Sequence, residues 1–166
     1  AGDVDGDGLD DILVGANEES SGGADAGASY LILGSSLGSS TEINLSDADY
    51  KFIGENANDM SGRAVSDAGD VDGDGLDDVL VGALQYHGDY PYQGAAYIVL
   101  GSSLGMNRGI ELSQADYKLV GDSADQYVGV AVSGAGDVDG DGLDDVVLGS
   151  YSGPDWNGAA YIVTGG

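Results

Sequence analysis

The stretch Asp3-Val4-Asp5-Gly6-Asp7-Gly8-Leu9-Asp10-Asp11 occurs three times in this chain, returning unchanged at residues 70–78 and 137–145. From Asp3 to Asp70 is 67 residues, and from Asp70 to Asp137 is 67 again. Read as D-x-D-G-D-G-x-x-D, each copy sets carboxylates at positions 1, 3, 5 and 9, with glycines where the chain must turn sharply. Hard oxygen ligands at this spacing form the front half of an EF-hand-type calcium loop, with the position-7 backbone carbonyl also facing the ion. The expected metal ligands are Asp3, Asp5, Asp7, Leu9 (through its carbonyl) and Asp11 in the first copy. They are Asp70, Asp72, Asp74, Leu76 and Asp78 in the second, and Asp137, Asp139, Asp141, Leu143 and Asp145 in the third. Position 8 (Asp10, Asp77, Asp144) falls where a strand begins, so alternation should turn its side chain away from the ion. An EF-hand would supply Glu at position 12 and continue as a helix. Here position 12 is Val14, Val81 or Leu148, inside short β-branched runs closed by Gly. Such runs read as buried strands, which makes each loop a β-hairpin calcium site, three in all.

The composition agrees with a turn-rich, strand-rich globular domain. The 166 residues include 31 Gly, 2 Pro and no Cys, so thiol catalysis, disulfides and zinc–thiolate sites are excluded. The formal net charge of -26 comes from 30 acidic and 4 basic residues. That excess argues against nucleic acid or an anionic membrane surface as partner. No apolar run reaches the length of a membrane span. The chain opens inside a repeat, so its native beginning is expected elsewhere.

Outward from each loop the same events recur. A strand ends in Gly15-Ala16, Gly82-Ala83 or Gly149-Ser150. A variable connection leads to a second strand around Tyr30, Tyr97 or Tyr161, and then to Gly34-Ser35-Ser36-Leu37-Gly38 or Gly101-Ser102-Ser103-Leu104-Gly105. A further strand carries Tyr50-Lys51 or Tyr117-Lys118, and another (62–66, 129–133) runs into the next loop. Four strands per 67-residue unit is the signature of a propeller blade. The lysines suit an outermost strand, where they discourage edge-to-edge pairing.

These units resemble FG-GAP repeats, the blades of the integrin alpha-subunit propeller and of many bacterial surface and secreted proteins. The resemblance rests on D-x-D-G-D-G-x-x-D followed by a Val-Gly-Ala strand. The Phe-Gly of the motif stands here as Ser61-Gly62 and Val128-Gly129, and the proline of its Gly-Ala-Pro is absent. The resemblance implies an all-β fold of antiparallel four-stranded β-propeller blades, with calcium in the hairpin between the first and second strands of each. The chain is read as one segment, with units at approximately 1–54, 55–121 and 122–166. Ten strands, about two and a half blades, are too few to close a ring of roughly four to eight blades. The segment thus belongs to a larger propeller or to an assembly joined through incomplete terminal blades.

In an antiparallel meander successive connections alternate between the two ends of the strands. The connections opposite the calcium loops carry Tyr86, His87, Tyr90 and Tyr92 in the second unit and Tyr151 and Trp156 in the third. Flat amphipathic rings on one face suit protein or carbohydrate recognition; packing against neighbouring blades is the alternative. No nucleophile motif or phosphate-cradling loop is present, and a lone His87 lacks a partner for general-base work, so an enzyme is not expected. The reading is a calcium-binding segment of a secreted or cell-surface protein that acts in adhesion or ligand recognition. The alternatives are a module assembling chain to chain into an extracellular fibre, and a non-catalytic part of a polysaccharide-active enzyme.

Overall fold

The computed structural model describes residues 1–39, 41–151 and 157–166. Among these there is no α-helix; eleven strands form three sheets. The first contains β1 (Ile12–Ala16), β2 (Ala28–Ile32) and β3 (Tyr50–Ile53). The second contains β4 (Ser61–Gly69), β5 (Asp78–Ala83), β6 (Ala95–Val99) and β8 (Tyr117–Val120). The third contains β9 (Ala131–Gly136), β10 (Asp145–Ser150) and β11 (Ala159–Val163). Each is an antiparallel meander, as propeller blades require. The eight residues between β4 and β5, and the eight between β9 and β10, are the Asp-Gly loops.

The middle blade explains why its strands read as continuous apolar runs. Every residue of β5 and β6 is buried. Side chains of a strand alternate between faces. Val79, Val81, Tyr97 and Val99 pack toward the first blade with Val4, Leu31 and Phe52, whereas Leu80 and Ile98 pack toward the third with Val146 and Leu148. Blade-to-blade contact is close enough to exclude side chains at one repeated point. A Cβ on Gly15 would stand 2.0 Å from the Gly62 carbonyl oxygen, and one on Gly82 would stand 2.2 Å from that of Gly129. Gly62 and Gly129 also hold φ of +80° and +83°, which favours glycine. The glycine of the degenerate Phe-Gly pair is therefore the part that packing demands.

Two expectations are corrected. Among the described residues there are eleven strands and not ten, because β7 (Gly109–Glu111) forms within the connection from β6 to β8. It leaves its own blade and pairs in parallel with β3 of the first, Lys51 opposite Gly109 and Ile53 opposite Glu111. Consequently Lys51 does not guard an open edge. Its ammonium instead meets Glu19 at 3.0 Å and lies 5.4 Å from the centre of the Tyr30 ring. Lys118 stands on the outer strand β8, pairs with Glu55 and covers the Tyr86 ring at 4.7 Å.

Candidate metal centre

Each Asp-Gly loop folds around its first carboxylate. Asp3 accepts from the backbone N–H groups of Asp7 (3.0 Å) and Gly8 (2.9 Å), Asp70 from those of Asp74 and Gly75, and Asp137 from those of Asp141 and Gly142. The loop glycines Gly6 and Gly8 hold φ of +73° and +90°. This inward wrapping brings together three carboxylates per loop: Asp3, Asp5 and Asp11; Asp70, Asp72 and Asp78; Asp137, Asp139 and Asp145. One oxygen from each lies within 4.8 Å of the others. Oxygens bound to one Ca²⁺ at about 2.3–2.6 Å can be at most roughly 5.2 Å apart, so a single calcium ion fits the donor set. The all-oxygen chemistry fits it as well.

The position-5 residues Asp7, Asp74 and Asp141 lie outside these groups of three, each accepting the N–H of the following leucine at 2.9 Å. Asp74 nevertheless acts electrostatically on Asp78. Of the position-7 leucines, Leu9 is exposed, and Leu76 and Leu143 are half-buried.

Position 9 does more than its spacing suggests. Asp11, Asp78 and Asp145 are buried, and both oxygens of each are already engaged by main chain. One oxygen accepts from the position-2 valine (Val4, Val71, Val138) at 2.7–2.9 Å. The other accepts from Gly34, Gly101 or Gly165, just after β2, β6 or β11, at 2.7–2.9 Å. The repeated Gly-Ser-Ser-Leu-Gly turn was the available signal for this second role. Burial pushes the Asp78 carboxyl up to about 6 against these N–H donors, and the Asp72 and Asp74 charges add to the rise. Desolvation, with the charges of Asp7, Asp11 and Asp3, likewise raises Asp5. A bound cation, which favours the carboxylate, would oppose both shifts.

At the opposite end of the strands an aromatic row crosses from the second blade to the third. His87 meets Tyr92 edge-on at 4.4 Å, Tyr92 stacks on Tyr127 at 5.5 Å, and Tyr127 meets Tyr151 at 5.6 Å. Tyr127 was not legible in advance, since it comes from the connection between β8 and β9 and has Met60 at the matching place one unit earlier. Tyr92 and Tyr127 are held with φ of +51° and +53°, and the Tyr127 N–H donates to the Tyr92 carbonyl at 2.9 Å. Tyr90 is exposed but outside the row. Tyr86 is partly buried against the core between the first two blades. Trp156 lies outside the described residues.

The FG-GAP repeat pattern matches residues 1–32 and 63–99. Integrin alpha-PS2 of Drosophila melanogaster is 34% identical over 90% of this chain and 11% of its own length. Integrin alpha-4 of Xenopus laevis is 31% identical over 91% of this chain and 14% of its own length. Integrin alpha pat-2 of Caenorhabditis elegans is 31% identical over 99% of this chain and 13% of its own length. The chain thus spans 11–14% of the length of these relatives. It is built of FG-GAP repeats and is a distant homologue of integrin alpha subunits over most of its length.

Proposed function

We propose that this chain is a calcium-binding β-propeller segment of a secreted or cell-surface protein, non-catalytic, whose aromatic face recognises a protein or carbohydrate ligand. The observation that carries the calcium reading is the threefold recurrence of three carboxylates within reach of one ion. The four Asp of each motif would hold the ion together with the carbonyls of Leu9, Leu76 and Leu143. The ion would neutralise the loops and lock them. Calorimetric titration should give three calcium equivalents and a clear preference over magnesium, which demands a tight octahedron and keeps its waters. Equal or stronger magnesium binding would overturn the assignment.

The ligand face rests on the row His87–Tyr92–Tyr127–Tyr151, exposed or half-buried rings bridging two blades. Screening against immobilised glycans and extracellular proteins should find a ligand whose binding is lost in Tyr92→Ala and Tyr127→Ala with calcium affinity retained. A ligand insensitive to both variants would place recognition elsewhere.

Chain-to-chain assembly is favoured by a separate observation. The third blade leaves Val138 (52% exposed) and Ile162 (60% exposed) open, where the middle blade buries the matching Val71 and Ile98. Sizing at two concentrations tests it: a defined polymer supports assembly, and a concentration-independent monomer excludes it.

A further inference from the structure

The position-8 aspartates are not needed by their own loops, and they are not idle. Asp77 crosses to the loop of the preceding blade. Its Oδ2 accepts the Asp3 N–H at 2.7 Å, and its own N–H donates to the Asp3 carbonyl at 3.1 Å. Asp144 does the same to Asp70, at 3.1 and 3.0 Å. Both main-chain polar groups of the position-1 ligand are thereby fixed by a residue 74 positions away.

Two further contacts repeat at both junctions. A Cβ on Gly2 would stand 2.0 Å from the Asp77 Oδ2, and one on Gly69 would stand 2.1 Å from that of Asp144. The left-handed glycine before the first and second motifs therefore leaves the space that the neighbour's carboxylate fills. Next to it, the Leu76 Cδ2 lies 2.8 Å from where a Gly6 Cβ would be, and Leu143 stands against Gly73 in the same way. The effective motif is thus G-D-x-D-G-D-G-x-x-D on one blade and Leu-Asp from the next.

We infer that Asp77 and Asp144 are positioning residues for calcium in the preceding blade's loop: Asp77 serves residues 3–11 and Asp144 serves residues 70–78. They touch no ion. Each fixes the backbone of the position-1 aspartate, and so aims that carboxylate at the site. Partners that orient a metal ligand in this way change affinity by about 10- to 100-fold when removed. The inference rests on the calcium reading, and its signature is directional: the loss falls on the loop before the mutated residue.

The test is a calcium titration of the whole chain followed by ¹⁵N-resolved amide shifts of Gly6, Gly73 and Gly140, one reporter per loop. In Asp77→Ala the Gly6 midpoint should weaken about 10-fold, with Gly73 and Gly140 within about twofold of the wild type. In Asp144→Ala the loss should move to Gly73. Asp77→Asn keeps an acceptor for the Asp3 N–H and should recover much of the affinity, which also guards against a poorly folded alanine variant. Asp10→Ala, at the same motif position but with no such bond among the described residues, should leave all three midpoints in place. Loss at the mutated residue's own loop, equal loss at all three loops, or no loss would overturn the inference while leaving calcium binding intact. Wild-type amides that ignore calcium would overturn the calcium reading and this one with it.

Discussion

Residues 3–11 and 137–145 are the same nine amino acids in the same order, yet they are covered from opposite sides. In the first loop Val4 is fully buried, under the turn at Gly101 of the second blade, while Leu9 is 51% exposed. In the third loop Leu143 is half-buried against Gly73 of the second blade, while Val138 is 52% exposed. The middle loop has neighbours on both sides, and its Val71 and Leu76 are both covered. What stays constant is the position-9 carboxylate, buried in all three loops. A repeat therefore carries the inner half of its metal loop and borrows the outer half from the units on either side.

If the inner half is truly constant, deleting it should cost the same everywhere. Asp78→Ala leaves the Val71 and Gly101 N–H groups without their acceptor, at about 1–3 kcal/mol each, or roughly 2–6 kcal/mol in all. Asp11→Ala and Asp145→Ala should fall in the same range by chemical denaturation. A loss at Asp145 below half that at Asp78 would break the comparison.

Calcium should come next in size. Extracellular sites of this class bind at about 0.1–1 mM, so millimolar calcium contributes roughly 0.4–1.4 kcal/mol per site and about 1–4 over three sites. Chelation at constant ionic strength should lower the melting temperature by roughly 2–16 °C. An unchanged melting temperature in a sample shown by metal analysis to be calcium-free would remove calcium from the account of stability.

The middle loop also has a pH signature. The Asp78 carboxyl is raised to about 6 when folded, above its unfolded value of 3.8, so the folded chain holds this proton more tightly. As pH rises from about 4 to 6 the calcium-free protein should lose on the order of 1–3 kcal/mol through this group. Calcium, which favours the carboxylate, should remove that loss. Denaturation at pH 4.5 and 7 tests this against Asp78→Asn, which should lack the calcium-free slope; an identical slope would assign it to other acids.

The smallest effect is the ranking of the loops themselves. The third loop lacks, among the described residues, the clamp that Asp77 and Asp144 give the other two. Its calcium midpoint should be about tenfold weaker. Equal midpoints would mean that the identical nine residues suffice.

This division also explains what could be read from the letters alone. The carboxylate clusters and the strand runs were legible because both are local: short continuous apolar runs in β5 and β6, and the fixed offsets of Asp70, Asp72 and Asp78. The clamp from Asp77 was half legible. Alternation turns it away from its own loop's carboxylates, but only the packing of neighbouring blades says where it goes. Tyr127 and β7 were not legible. Tyr127 gains its meaning from Tyr92, on a different connection, and Gly109-Ile110-Glu111 is too short and too plain to announce a strand.

The excursion of β7 has a consequence for how such chains lengthen and shorten over evolutionary time. Because the second unit lends three residues to the sheet before it, the seam between these two folded blades is offset from the seam between their sequence repeats. A duplicated or deleted 67-residue unit thus arrives with an overhang at its border, like a brick laid across a joint. Copy number can change while this border is rebuilt from residues already in the inserted copy. A unit from an unrelated propeller, lacking the overhang, would leave β3 uncovered, with a bare edge open to unwanted pairing.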